Sequence, residues 1–219
     1  MYQFPANIGT NRYDSDVVAI LGRLQRLALP ADPIALPADP IAFYGSSSFR
    51  MWSSLAEDIN SLNVVNLGFG GGTLLSAMHY MDQLLVPLKP RRTLIYFGEN
   101  DIASEGQTAE TAFRHLQTLT GRISEALPQT RLHILAIKPS PARWIYRDEF
   151  ERFNRLAKDW CEKRSMAVWL ELNGDLLGEN GLPMFRYYQS DLVHLNPAGY
   201  AIWAQALKAA LKEPCEADV

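Results

Sequence analysis

The first residues in this sequence that could carry out chemistry form the run Gly45-Ser46-Ser47-Ser48, between a short apolar stretch and a helical pattern that begins at Phe49. A serine at a strand-to-helix turn exposes its hydroxyl and has a backbone N–H near the positive end of the helix. This geometry suits a nucleophile that must stabilise a nearby oxyanion. It also suits a bound phosphate, and a serine-rich helix N-cap is the alternative without chemistry. The run alone leaves open which serine acts.

An acidic and a basic side chain stand near the end of the chain, where Asp191 precedes His194 by three residues. On a loop, an aspartate at this spacing can fold back onto the imidazole and fix its tautomer. It also stabilises the imidazolium that forms when the histidine takes a proton. A helical pattern follows, with Asn196 as its predicted N-cap and Pro197 as its first residue. The pair is therefore a candidate general base with an orienting carboxylate.

Two further segments could supply hydrogen-bond donors to a developing negative charge. The segment Asn66–Thr73 contains Gly68 and three consecutive glycines at 70–72, whose N–H groups can approach a ligand closely. The segment Gly98–Asp101 places Asn100 after an apolar run, and an asparagine amide can donate to an oxyanion. Flexible turns and helix caps are the alternative explanations, because glycine, asparagine and aspartate are common in them.

These residues would be positioned by an alternation of short apolar runs and amphipathic helical patterns. Five runs are typical of strands: Ile41–Tyr44, Asn63–Leu67, Thr93–Phe97, Leu132–Ile137 and Ala167–Leu170. Helical patterns occupy 17–28, 49–59, 74–85, 108–127, 148–163 and 196–211. This alternation predicts the α/β class, with a parallel sheet covered by helices on both faces. Functional loops lie at the carboxyl ends of the strands in such sheets, where the serine run, the glycines and Asn100 fall.

Four short blocks resemble, in order, those of the GDSL-like or SGNH hydrolases: Gly45-Ser46-Ser47, Gly71, Gly98-Glu99-Asn100-Asp101 and Asp191-Leu192-Val193-His194. The resemblance extends from about Ile41 to Leu207, and 45–52 is similar to a subgroup in which Gly-Ser-Ser-Ser replaces Gly-Asp-Ser. Ser46 stands where the family motif has aspartate, a position without a catalytic role, so this departure concerns the structure of the loop. The resemblance implies a three-layer α/β/α fold with a five-stranded, flavodoxin-like parallel sheet of order 2-1-3-4-5.

The resemblance also implies a serine esterase or lipase that cleaves carboxylic O-acyl esters. Carried over position by position, it makes Ser47 the nucleophile, His194 the general base and Asp191 the partner of the histidine. The oxyanion hole would consist of the backbone N–H groups of Ser47 and Gly71 and the side-chain amide of Asn100. This chemistry needs neither a metal nor an organic cofactor. The Gly-x-Ser-x-Gly elbow of the α/β-hydrolases does not occur in the sequence.

Composition argues against several other classes of protein. The 219 residues carry a net charge of −3 and no run of Lys or Arg, which argues against a nucleic-acid partner. The first ten residues lack the apolar core of a signal peptide, and the uncharged stretch 59–81 contains asparagines and glycines that disfavour a transmembrane helix. We therefore expect a cytoplasmic protein with a small-molecule ester substrate and no membrane span.

We expect a single SGNH-like hydrolase domain over residues 1–219, in which 1–40 hold an N-terminal helix and a proline-rich connector. The seven residues Leu29–Ala35 recur letter for letter as Leu36–Ala42, and their four prolines favour an extended chain. We hypothesise that this extra length lets the first helix pack on a neighbouring copy in a homo-oligomer.

Two alternative functions stay open. A non-catalytic, flavodoxin-like module that binds phosphate or flavin mononucleotide would explain the serine run, but it would leave Asp191 and His194 without a role. An acyltransferase would use the same site with an alcohol in place of water as the acyl acceptor. The sequence does not separate hydrolysis from acyl transfer.

Other reactive side chains fall away from the predicted strand ends. Three histidines lie within helical or strand patterns, where a structural or surface role is favoured: His79, His115 and His133. Cys161 is expected in the core and Cys215 as a free surface thiol, and the two lack the number for a disulfide framework and metal-ligand spacing. In the loop after the fourth strand, Trp144 and its neighbour Arg143 are candidates to line a substrate pocket.

Overall fold

The structure, a computed structural model, describes residues 12–27 and 39–212. Five strands form one parallel sheet: Ile41–Gly45 (β1), Val64–Asn66 (β2), Arg92–Tyr96 (β3), Arg131–Leu135 (β4) and Ala167–Leu170 (β5). Their order is β2-β1-β3-β4-β5, which confirms the predicted α/β class and strand order. Phe43 of β1 lies opposite Asn66 on one side and Leu94 on the other. The loops that follow β1, β2 and β3 are therefore neighbours at one edge of the sheet.

Helices cover both faces of this sheet. The α-helices of the described residues are Asp14–Leu27 (α1), Ser47–Arg50 (α2), Leu55–Ile59 (α3), Leu74–Leu84 (α4), Glu99–Ala103 (α5), Ala109–Ala126 (α6), Arg147–Cys161 (α7) and Pro197–Leu211 (α8). Apolar residues of α1, α4, α6 and α7 form one core cluster, and those of α2, α3 and α8 form another. Successive strand residues point to opposite faces, so Ala42 and Tyr44 join the first cluster and Phe43 the second. The result is the expected three-layer α/β/α arrangement.

An aromatic cluster joins the two helices that border the site. Trp52 and Trp203 are buried, and the Trp52 ring stacks on Tyr200 of α8 with centroids 4.9 Å apart. The Tyr200 hydroxyl donates to the backbone carbonyl of Ser48 in α2 at 2.9 Å. Aromatic pairs of this kind add to the stabilisation that comes from their buried area. The start of α8 is thus fixed against the helix that carries Ser47.

Three local features differ from the sequence prediction. The single helix expected over 49–59 is broken into α2 and α3, and the turn between them buries Trp52, whose Nε1 donates to Asp58 at 2.7 Å. The short helix α5 begins directly after the loop at Gly98, where the prediction gave only a strand end. A 3₁₀ helix at Pro141–Tyr146 precedes α7.

Helix α1 packs on α4 of the same chain. Its inward residues are buried in the first core cluster: Val17, Ile20, Leu21 and Leu24. The hypothesis that this helix packs on a neighbouring copy therefore differs from the observed packing, whereas the homo-oligomer itself stays a hypothesis. Most of the duplicated segment, at 28–38, lies outside the described residues. Across 12–27 and 39–212, the helices are too short or too polar to cross a membrane.

Candidate active site

Ser47 is the first residue of α2 and follows the carboxyl end of β1. A Cβ at Gly45 would lie 2.5 Å from the ring of Phe49, so the close approach of strand and helix needs glycine there. Ser46 and Ser48 are 2% and 1% exposed, and Ser47 is partly exposed. Within the described part of the chain, Ser47 is the one member of the serine run whose Oγ contacts His194.

His194 and Asp191 lie on the loop before α8. His194 Nε2 is 2.8 Å from Ser47 Oγ, and His194 Nδ1 is 2.6 Å from Asp191 Oδ2. Between them, Leu192 has a φ of 57°, a left-handed conformation that costs a non-glycine residue about 1 kcal/mol or more. Asp191 Oδ1 also accepts the N–H groups of Val193 and His194, at 2.9 and 3.0 Å. The turn thus folds the carboxylate back onto the imidazole, as the spacing predicted.

The same contacts keep Asp191 ionised. Partial burial acts to raise the pKa of Asp191, but the hydrogen bonds from the His194 ring and from two backbone N–H groups outweigh it and lower the pKa to about 2. An ionised carboxylate can only accept hydrogen bonds, so the hydrogen in this contact is on His194 Nδ1. In a neutral imidazole, Nε2 is then free to accept the proton of Ser47.

The glycine loop after β2 presents one unused N–H group. Gly68 N–H donates to Asn66 Oδ1 at 2.9 Å, and Gly70 N–H donates to Asp16 Oδ2 at 2.7 Å. Gly71 is exposed, has a φ of 68°, and its N–H makes no hydrogen bond to the rest of the described chain. Of the glycines considered from the sequence, Gly71 is therefore the one whose N–H can donate to a ligand.

Residues from two other elements hold this loop. Asp16 of α1 binds Arg50 of α2 at 2.9 Å with the same oxygen that accepts the Gly70 N–H. Asn66 Nδ2 donates to the carbonyl of Phe49 at 2.6 Å, which joins the end of β2 to α2. The sequence analysis missed Asp16, because nothing in the pattern of α1 indicates which loop its polar face meets.

Asn100 is in the first turn of α5 and is 6% exposed. Its Nδ2 donates to the carbonyl of Gly72 at 3.0 Å, and its Oδ1 accepts from Arg143 Nη1 at 3.1 Å. The side chain therefore bridges the loop after β3 to the glycine loop after β2. The amide nitrogen carries two hydrogens, so the second one is available to another acceptor.

Behind Asn100 lies a buried ionic cluster that the sequence analysis did not find. Glu99 binds Arg143 Nη1 through Oε1 at 2.9 Å and Lys138 Nζ through Oε2 at 2.8 Å. Tyr96 also donates to Glu99 Oε2, at 2.7 Å. Burial acts to raise the pKa of Glu99, but the charges of Lys138 and Arg143 outweigh it and lower the pKa. Lys138 directly follows the apolar run 132–137, and a cation at a buried strand end was the available signal.

Trp144 and Arg143, the two candidate pocket residues of the loop after β4, line a cavity of about 260 Å³. Trp144 also borders a second cavity of about 400 Å³, whose other walls are mainly apolar: Pro141, Leu182, Pro183, Met184 and Phe185. Ala142 N–H donates to the carbonyl of Leu192 at 3.1 Å, so this loop contacts the loop of Asp191 and His194. Both cavities thus lie beside segments that contact the site.

The other reactive side chains are elsewhere. His133 is buried within β4, and His79 and His115 are in α4 and α6. Cys161 is in the core, as predicted, and burial raises its pKa to about 12, whereas Cys215 lies outside the described residues. In the described ranges, no three His, Cys, Asp or Glu side chains are grouped as metal ligands.

The sheet order and the hydroxyl–imidazole–carboxylate contacts at its carboxyl edge are those of an SGNH-type hydrolase. The chain belongs to the GDSL-like Lipase/Acylhydrolase family, whose model matches residues 38–202. No curated protein matches the sequence.

Solved structures share the fold at low sequence identity. A protein from Streptococcus pneumonia, provisionally described as a platelet activating factor, has a TM-score of 0.75 and 20% identity over 91% of this chain and 94% of its own. A GDSL-like lipase from Bacteroides thetaiotaomicron has a TM-score of 0.69 and 18% identity over 88% and 97%. A carbohydrate esterase family 3 protein from Talaromyces cellulolyticus has a TM-score of 0.63 and 14% identity over 79% and 96%.

Proposed function

We propose that the protein is a serine esterase that hydrolyses carboxylic O-acyl esters through a covalent intermediate on Ser47. The observation that carries the proposal is the continuous contact from Ser47 Oγ to His194 Nε2 at 2.8 Å and from His194 Nδ1 to Asp191 Oδ2 at 2.6 Å. A serine in contact with an oriented imidazole is an activated nucleophile. Membership in an acylhydrolase family supports the same reaction class.

The reaction proceeds in two halves. Ser47 Oγ attacks the ester carbonyl while its proton moves to His194 Nε2, and Asp191 stabilises the imidazolium. The tetrahedral intermediate collapses, the C–O bond to the alcohol breaks, and His194 gives its proton to the leaving alkoxide. Water then attacks the acyl-enzyme with His194 as the base, and release of the carboxylic acid restores the Ser47 hydroxyl.

Three donors form the proposed oxyanion hole. The N–H of Ser47 is in the first turn of α2, where backbone N–H groups have no partner within the helix. The N–H of Gly71 and the second N–H of Asn100 have no hydrogen bond to the rest of the described chain. Donors that are fixed before the reaction stabilise the charge that develops on the carbonyl oxygen without further reorganisation.

The mainly apolar cavity beside Trp144 favours an ester with an apolar acyl group. Its walls are apolar apart from Asn180, and Phe185 and Leu182 on its rim are 66% and 46% exposed. Burying a methylene group of the acyl chain there is favourable by about 0.8 kcal/mol. We expect kcat/KM for p-nitrophenyl esters to rise from acetate to hexanoate, and this rise should be smaller in Trp144→Ala.

The central test is the identity of the nucleophile. A fluorophosphonate probe should label the wild-type protein and not Ser47→Ala, and this variant should lose about 10⁴-fold or more in hydrolysis of a p-nitrophenyl short-chain ester. Its melting temperature should stay close to that of the wild type, because Ser47 is partly exposed. Ser46→Ala is the matched control and should still be labelled. Near-wild-type hydrolysis by Ser47→Ala would overturn the assignment.

Labelling of Ser47 and analysis of the reaction products test the two alternative functions. Labelling of Ser47 would argue against a phosphate- or flavin-binding module, which requires no activated serine. Product ratios with and without added alcohols would show whether water or an alcohol accepts the acyl group. We expect the free carboxylic acid to dominate in both conditions.

A further inference from the structure

The side-chain amide of Asn100 can point in two ways, and only one of them suits the proposed oxyanion hole. An N–H reaches the oxyanion only if the carbonyl end of the amide is turned away from it. Gly72 offers a carbonyl, which only accepts, and lies 3.0 Å from Asn100 Nδ2. Arg143 offers a guanidinium, which only donates, and lies 3.1 Å from Asn100 Oδ1. Both partners therefore select the same orientation of the amide.

Arg143 is itself held by a fixed counter-ion. Its Nη1 donates to Glu99 Oε1 at 2.9 Å as well as to Asn100, and its Nη2 is 3.4 Å from Ser104 Oγ. Glu99 is 3% exposed and is bound on its other oxygen by Lys138, whose side chain is fully buried. The Arg143 guanidinium is thus held by a buried carboxylate that is also paired with Lys138. Asn100 Oδ1 accepts from the same guanidinium nitrogen.

The contact with Arg143 also affects the strength of the Asn100 donors. Arg143 Nη1 donates to Asn100 Oδ1 while the guanidinium is paired with Glu99 Oε1. Donation from Arg143 to Asn100 Oδ1 polarises the amide and makes its N–H groups stronger donors. Stronger donors stabilise the negative charge of the transition state more than they stabilise the neutral substrate.

We propose that Arg143 is a positioning residue of the ester hydrolysis: its guanidinium fixes and polarises the Asn100 amide so that one N–H points at the oxyanion. This assignment rests on the proposed function. It extends that function to a residue outside the family blocks found in the sequence, on the loop after β4.

A merely structural role for Arg143 is a distinct alternative. The loop at 139–144 has other anchors, because Ala142 N–H donates to Leu192 and the Tyr188 hydroxyl donates to the carbonyl of Pro139. The loop therefore keeps two hydrogen bonds to the segment 188–192 when Arg143 is replaced. Loss of the guanidinium should change catalysis more than it changes stability.

The test is a double-mutant cycle between Arg143 and Asn100 with a p-nitrophenyl ester. Asn100→Ala should lower kcat by about 10²–10³-fold, as for the loss of one oxyanion donor. Arg143→Met should lower kcat by up to about 10²-fold with KM nearly unchanged, because a misplaced group affects the transition state. The double variant should have a kcat within about twofold of Asn100→Ala alone, since Arg143 acts through Asn100.

Two further variants sharpen this result. Arg152→Met removes an arginine of α7 that binds Glu110 and lines neither cavity, so it should keep wild-type kcat. Arg143→Lys keeps the charge but lacks the fork that reaches Glu99 and Asn100 together, so its kcat should lie between those of the wild type and Arg143→Met. If Arg143→Met does not fold, the cycle is run with Arg143→Lys.

The outcomes are distinguishable. The role of Arg143 would be overturned if Arg143→Met kept wild-type kcat. It would also be overturned if the two losses in kcat multiplied fully in the double variant. Either result would leave the esterase proposal intact. Absence of Ser47-dependent hydrolysis in the wild-type protein would remove the proposed function and this assignment together. A loss in kcat that disappears in the Asn100→Ala background supports the assignment.

Discussion

Two buried titratable groups should give the stability of this protein opposite pH dependences. His133 in β4 is 4% exposed, and burial, together with the charges of Arg92 and Arg131, lowers its pKa from 6.5 to about 4. The unfolded chain binds a proton at this position at a higher pH than the folded chain does. Stability is therefore lost as the pH falls from 6.5 towards 4. At about 1.4 kcal/mol for each pH unit, this interval amounts to about 3 kcal/mol.

Asp101 acts in the opposite direction. It is fully buried and accepts the N–H of Leu74 with both oxygens, at 3.1 and 3.2 Å, and burial raises its pKa from 3.8 to about 6. The folded chain holds this proton more tightly than the unfolded chain does. Stability therefore falls as the pH rises from 3.8 to about 6, again by about 3 kcal/mol. In the wild-type protein, the two effects nearly cancel.

Replacing either residue should reveal the other. His133→Leu suits the site, because its neighbours on the adjacent strands are Leu94 and Val168. Its free energy of unfolding, measured with urea between pH 4 and 7, should fall as the pH rises. Asp101→Asn keeps an acceptor for Leu74 N–H and should show the reverse slope, and the double variant should lack both of these contributions. A His133→Leu profile parallel to that of the wild type would refute the reasoning about His133.

The remaining predictions concern α8 and the core thiol. Asn196→Ala removes the cap that accepts Gly199 N–H at 3.1 Å and two donations to backbone carbonyls, and should cost about 2 kcal/mol in urea unfolding. Asn196→Asp keeps the acceptor for Gly199 N–H but loses both donations, so its free energy of unfolding should lie between those of the wild type and Asn196→Ala. A loss of stability equal to that of Asn196→Ala would contradict the role of the cap. In a Cys215→Ser background, a thiol reagent should modify Cys161 only upon unfolding, because burial raises its pKa to about 12. Rapid modification of the native protein would contradict this.

The sequence pattern predicted the parallel sheet, and the family resemblance selected Ser47 and Gly71 among the candidate residues at its strand ends. Ser47, Gly71 and Asn100 follow β1, β2 and β3, and parallel topology brings these strand ends to one edge. The spacing of Asp191 and His194 predicted their contact, because a short turn can join residues three apart. The strand pattern thus predicted a parallel sheet, whereas its strand order was implied by the family resemblance.

Contacts between side chains on the loops of neighbouring strands were not predictable. Glu99 follows β3, whereas Lys138 and Arg143 follow β4, and their meeting depends on the path of each loop through space. The break between α2 and α3 was missed for a similar reason. The helical period continues through 49–59, but the helix is interrupted where Trp52 packs against Tyr200 of α8. Tertiary packing overrides local propensity at such points.

The hydrogen bond from Gly70 N–H to Asp16 has a consequence for protein engineering. Helix α1 precedes the segment 38–202 that the family model matches, yet its carboxylate holds both the loop of Gly71 and the side chain of Arg50. A graft of residues 38–202 onto another scaffold would carry all the proposed site residues and leave Asp16 behind. The smallest transplantable unit of the esterase therefore includes the leading helix.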